Sequence, residues 1–103
     1  MNDSTKTSKW DTAEFLESQA DIDAYLQVAF ESGDAKQITK ALGNAAKAQG
    51  MIDIANKTGL TREHLYTSLS ESGNPTLQTL TKVIDTLGYQ LAVVPKGKNY
   101  HTI

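Results

Sequence analysis

Apolar side chains recur at helical spacing in separate stretches of this chain, and each stretch closes on a glycine. Ile22, Tyr25, Leu26 and Ala29 fall at i, i+3, i+4 and i+7, which predicts a helix over residues 21–32 with Asp21 as N-cap and Gly33 as stop. A shorter turn of helix over residues 12–17 would place Phe15 and Leu16 on the same core. Ile38, Ala41, Leu42 and Ala45 repeat the spacing in a second helix that Asp34 can cap and Gly50 ends. Residues 51–58 turn Ile54 and Ala55 inward and stop at Gly59; Leu60 then leads into Thr61, whose hydroxyl can cap a helix running to about Ser70. Ser72, Gly73 and Asn74 read as a loop, with Asn74 an N-cap and Pro75 at the first helical position. Leu77, Leu80, Val83, Ile84 and Leu87 form a core stripe ending at Gly88. Residues 89–94 leave this period and read as one short β-strand bounded by Pro95. A lone strand must pair with a second copy or lie over the core.

The expected class is all-α: five helices, an N-terminal helical extension and a short C-terminal β-strand. Residues 1–9 have no apolar side chain after Met1 and read as a tail. Residues 10–103 read as one domain, with N-terminal helices in 10–33, a central motif at 51–70, a last helix at 75–87 and the strand at 89–94. Packing begins at Trp10. A length of 103 residues suits one core and argues against a two-domain enzyme. Cysteine is absent, which excludes disulfides, thiolate metal sites and cysteine nucleophiles. The longest strongly apolar run, residues 91–94, is far short of the roughly 20 residues that span a bilayer, so no membrane partner is expected and the cytoplasm is the expected compartment. His64 and His101 are the two histidines and neither has a second ligand at metal-binding spacing. Asp21 and Asp23 are accounted for by the helix dipole. With no nucleophile and base in a triad-like arrangement, the chain reads as a non-enzyme without metal or cofactor.

Charge changes this picture more than composition does. The net charge of -2 is unevenly spread: residues 1–33 carry two lysines against seven acidic side chains, whereas residues 34–70 carry Lys36, Lys40, Lys47, Lys57 and Arg62 against Asp34, Asp53 and Glu63. An acidic front and a mildly basic middle suggest two different partners.

Two short helices joined by a glycine-containing turn form a helix-turn-helix pattern, whose second helix enters the DNA major groove. Ala55 allows a close helix crossing, Gly59 takes the turn, and Leu60, Leu65 and Leu69 lock the second helix to the body. With Leu65 set at 0° and Leu69 at about 40°, Glu63, Thr67 and Ser70 point away from the core at about 160°, 200° and 140°, with His64 and Tyr66 on the flanks. Glu63, Tyr66, Thr67 and Ser70 are the base-reading candidates. Arg62 lies nearer the core side on this wheel, but it starts the helix with a side chain long enough for a guanine edge or a phosphate, and Lys57 and Thr61 are candidate phosphate contacts. Lys36, Lys40 and Lys47 read as solvent-facing lysines of an amphipathic helix that can add non-specific phosphate attraction.

The segments WDTAEFL, DIDAYLQVAFESGD, ALGNAAKAQGMIDIANKTGLTREHLYTSLS and GNPTLQTLTKVIDTLG together resemble the HigA-like antidote proteins of bacterial toxin-antitoxin modules, within the larger phage-repressor-like (Cro-type) helix-turn-helix group. The resemblance implies a small homodimeric antitoxin that binds double-stranded operator DNA, represses its own operon and neutralises a small basic toxin of the RelE/ParE-like type. Many phage-repressor-like domains carry Gln where this chain has Met51, so the phosphate contact of that amide is not implied for this chain, although Met is also common at that position in the antidote group.

On that reading, two recognition helices sit about 34 Å apart across a dimer, and residues 89–94 are the candidate dimer contact through pairing with the symmetry mate. The acidic segment from Asp11 to Glu31 is either a solvated face or a docking surface for a basic toxin. Trp10, Phe15 and Phe30 are its candidate anchors, or core residues. Two rival readings are a stand-alone phage-type regulator and a protein-interaction module whose helix-turn-helix no longer binds DNA.

Overall fold

The computed structural model describes residues 12–70 and 72–97. Trp10, Asp11, His101 and the expected tail over residues 1–9 lie outside them. A 3-10 turn at Thr12–Phe15 is followed by α1 (Gln19–Ser32), α2 (Ala35–Gln49), α3 (Met51–Thr58), α4 (Arg62–Ser68) and α5 (Leu77–Thr86). The architecture is all-helical, with five α-helices and no β-strand among the described residues.

Helix α1 begins two residues before the position that periodicity indicated. Ser18 is its N-cap and accepts the Asp21 backbone N–H at 3.1 Å, while the Asp21 carboxylate accepts the Glu17 N–H at 3.1 Å. Asp21 thus satisfies the amide just ahead of the cap instead of capping the helix, a reciprocal arrangement like a capping box. Phe15, expected on the core, is 60% exposed; Leu16 packs inward in its place, because the 3-10 turn is too short to bury both. In α5 the N-cap is Thr76, whose hydroxyl accepts the Thr79 N–H at 3.1 Å, not Asn74. Pro75 consequently precedes the helix. Leu77 becomes the first helical residue, 71% exposed, and the core stripe starts only at Leu80.

The centre of the core takes one fully buried side chain from each of four helices: Leu42 of α2, Ile54 of α3, Leu65 of α4 and Val83 of α5. Helix α1 adds Ile22, Leu26 and Ala29 and packs along α2. Ala41, Ala45 and Ala46 keep that face of α2 thin, so the helices approach closely. The buried Asn44 amide donates to the Tyr25 hydroxyl at 2.9 Å, supplying the partner that a buried polar group requires. Helix α3 packs on α2, α4 and α5, which makes it the structural bridge to the C-terminal half.

The expected strand over residues 89–94 does not form. Helix α5 ends in a Schellman motif: Gly88, at φ 96°, donates to the Asp85 carbonyl and Tyr89 donates to the Ile84 carbonyl, so the chain folds back toward α1. Gln19 donates to the Tyr89 hydroxyl at 3.0 Å, and burial pushes the Tyr89 phenol above its ordinary pKa, keeping it protonated. Beyond Tyr89 the backbone meets no second strand, and a ladder needs two. Leu91, Val93 and Val94 are left exposed, Val93 completely.

Candidate functional site

The turn between α3 and α4 is built by Thr58 and Gly59. Thr58 is buried; its hydroxyl donates to the Ile54 carbonyl at 2.8 Å and accepts the Leu60 N–H at 3.2 Å. Gly59 sits at φ 79°, a left-handed conformation that disfavours any side chain. Thr61 then caps α4 by accepting the His64 N–H at 3.0 Å. Reading the sequence identified the glycine and the cap but missed the Thr58 latch, for which the pattern gives no signal beyond a threonine one residue before a glycine.

Leu65 and Leu69 are buried and fix the roll of α4. Arg62, Glu63, Tyr66 and Thr67 are consequently exposed. Glu63 and Thr67 point away from the core, Tyr66 lies on the flank and Arg62 stands at the helix start, so the exposed surface of α4 offers one cation, one carboxylate, one phenol and one hydroxyl. Ser70 lies two residues beyond the end of α4. It is half-buried and its hydroxyl donates to the Thr67 carbonyl at 2.9 Å, so it closes the helix end. The His64 ring approaches the Thr79 hydroxyl at 3.4 Å and ties α4 to α5.

Lys57 is exposed on α3 and pairs with Asp53 at 3.2 Å. Such a solvent-exposed i, i+4 pair is worth only about 0.3–0.5 kcal/mol, so an anionic ligand can draw the lysine away. Met51 is buried under the start of α3 and serves as a core residue. Between α2 and α4 runs an open groove of about 310 Å³ bordered by Lys40, Asn44, Lys47, Tyr66 and Ser70. Its floor is set by Gly43, which lies against the backbone of Leu69. Among the described residues, no three His, Asp or Glu side chains gather into a cluster that could hold a metal ion, and no helix is long and apolar enough to cross a membrane.

A second surface lies on α1. Ala24, Val28 and Glu31 share its outer side with Asp21; Val28 is 69% exposed. Glu14 and Glu17 are exposed beside Phe15. Phe30, in contrast, is half-buried and lines an apolar groove of about 450 Å³ with Leu26, Ile84, Tyr89 and Leu91. The aromatic anchors expected for the acidic segment are thus divided between an exposed patch and a groove.

Comparison with known sequences places these features in context. A sequence family described as probable addiction module antidote protein matches residues 6–95. An uncharacterized protein of Haemophilus influenzae is 40% identical over 84 residues, which cover 82% of this chain and 87% of that protein. No solved structure matches.

Proposed function

Because this chain belongs to the family of probable addiction module antidote proteins, we propose that it is an antitoxin that also binds DNA through α4, as HigA-like, phage-repressor-like antidotes do. The observation that carries the DNA reading is the outer face of α4. A helix of seven residues held by a tight turn and two buried leucines presents Arg62, Glu63, Tyr66 and Thr67 outward, where the major groove, about 12 Å wide, can receive it. Lys57 and Thr61 flank its start and contact phosphates. Ser70 contributes at the far end, where its oxygen still has lone pairs to offer. The role is regulatory and non-enzymatic.

The toxin surface on this reading is the outer side of α1. Acidic groups there complement a small basic RelE/ParE-like toxin and speed its association, while Val28 and Phe15 supply apolar contact. The operator is palindromic and the protein a homodimer. Leu91, Val93 and Val94, exposed together after α5, are the dimer patch. Leu91→Lys combined with Val93→Lys should convert the dimer to a monomer in sedimentation velocity without unfolding it; a doubly substituted chain that remains dimeric removes this patch from the interface.

Binding to the DNA upstream of the gene, followed by fluorescence anisotropy, tests the central reading. Arg62→Ala and Thr67→Ala should each weaken operator binding by about 1–3 kcal/mol and lower the preference over scrambled duplex. A folded protein that binds its upstream DNA no better than scrambled DNA would favour a pure protein-interaction module.

A further inference from the structure

Helix α2 is charged on one side only. Between Ala35 and Gln49 it carries Lys36, Lys40 and Lys47 and no acidic residue. At about 100° per residue the three lysines fall within roughly 40° of one another, and at about 1.5 Å per residue they span some 16 Å of helix. All three are exposed. None pairs with an acid among the described residues, unlike Lys57 on α3. Gly43 lies on the same stripe, and its missing side chain lets α2 meet the backbone of Leu69 at the end of α4. Lys40 and Lys47 therefore straddle this crossing, one turn to either side. They border the groove that Tyr66 of α4 and Ser70 just beyond it close on the other side.

From this placement we infer that Lys36, Lys40 and Lys47 form a phosphate-binding rail that grips the DNA backbone beside the groove occupied by α4. The inference rests on the DNA-binding reading and extends it to a second helix. A duplex seated on α4 presents a wall of phosphates on either side of the major groove, and the α2 stripe is the cationic surface adjoining the C-terminal end of α4. A basic toxin would be repelled here and attracted to the acidic α1 face, so the two partners are sorted by charge to different sides of the molecule. The rail adds affinity without reading bases, because lysine contacts to phosphate carry no sequence information.

The test is a salt series of anisotropy titrations on the full-length chain, with upstream DNA and a scrambled duplex as probes, comparing the parent with Lys36→Gln, Lys40→Gln and Lys47→Gln combined. Each phosphate contact contributes about 0.9 to the slope of log K against log salt, so the triple variant should show a slope shallower by roughly 2–3 and a roughly 10- to 100-fold affinity loss at low salt. The loss should be equal on both duplexes, whereas Arg62→Ala erodes the preference between them. A triple variant that keeps the parent slope, while the parent still prefers its upstream DNA, overturns the rail and leaves the α4 reading intact. A parent that binds neither duplex overturns both. Labelled polyglutamate serves as a probe for an acidic protein surface: if the triple variant loses it but keeps duplex binding, the stripe is a protein-docking site and the rail is wrong.

Discussion

Leu65→Ala should unfold with a thermal midpoint at least about 10 °C below that of the parent. Leu65 is wholly buried and is one of two side chains by which α4 holds to the body. Truncating a buried leucine costs about 2–5 kcal/mol through lost transfer energy and the cavity left behind. In a domain of this size each kcal/mol lowers the midpoint by roughly 4–8 °C. The loss is large against a total stability of about 5–15 kcal/mol. Leu65→Met, which nearly conserves volume, should cost less than about 1.5 kcal/mol. Circular dichroism melts of the two variants check this directly; equal midpoints would mean that α4 is not anchored by this side chain.

Gly43→Ala should also destabilise, against the ordinary expectation for a helix interior. Alanine is favoured there over glycine by about 1 kcal/mol, so most such replacements stabilise. Here an added Cβ would stand 2.6 Å from the Leu69 carbonyl oxygen and 3.4 Å from the Leu69 Cβ. The carbonyl belongs to backbone and cannot swing aside, so α2 and the end of α4 must move apart. Overpacking of this kind costs about 1–3 kcal/mol, which outweighs the propensity gain. Denaturant unfolding should give a lower midpoint with an unchanged slope, and, on the proposed DNA-binding reading, affinity for the upstream DNA should fall as well because the end of α4 is displaced. A more stable Gly43→Ala would show that the crossing has room to relax.

The helices were legible because their causes are local. Ile22, Leu26 and Ala29, and likewise Leu42 and Ala45, announce their buried face by spacing alone, and Gly59 with Thr61 marks the turn and cap before α4. Errors arose where several residues compete for one role. Ser18 and Asp21 both suit an N-cap, and only the folded chain shows that Ser18 takes it while Asp21 bonds back to Glu17. Asn74 and Thr76 compete in the same way before α5. The apolar run at residues 91–94, which ends in the β-branched pair Val93 and Val94, has strand propensity, but propensity cannot supply a pairing partner. Gly43 was unreadable for another reason: a glycine in the middle of a helical pattern shows no sign of what crosses it. For the candidate site, the exposure of Glu63 and Thr67 followed from the wheel set by Leu65 and Leu69, whereas that wheel turns Arg62 toward the core side, and Arg62 is exposed because it starts the helix. The alignment of three lysines beside α4 depended on that unread crossing.

The packing order of the helices has a kinetic consequence. Helix α1 packs on α2, α2 on α3 and α3 on α4, each against its neighbour in sequence; the longer closures are the crossing of α2 with Leu69 and the return of α5 to α2 and α3. Chains dominated by such short loop closures fold on the order of microseconds to milliseconds. A ribosome adding about 5–20 residues per second is far slower than that. The supply of folded molecules is therefore set by synthesis and turnover, with no lag spent in reaching the native state.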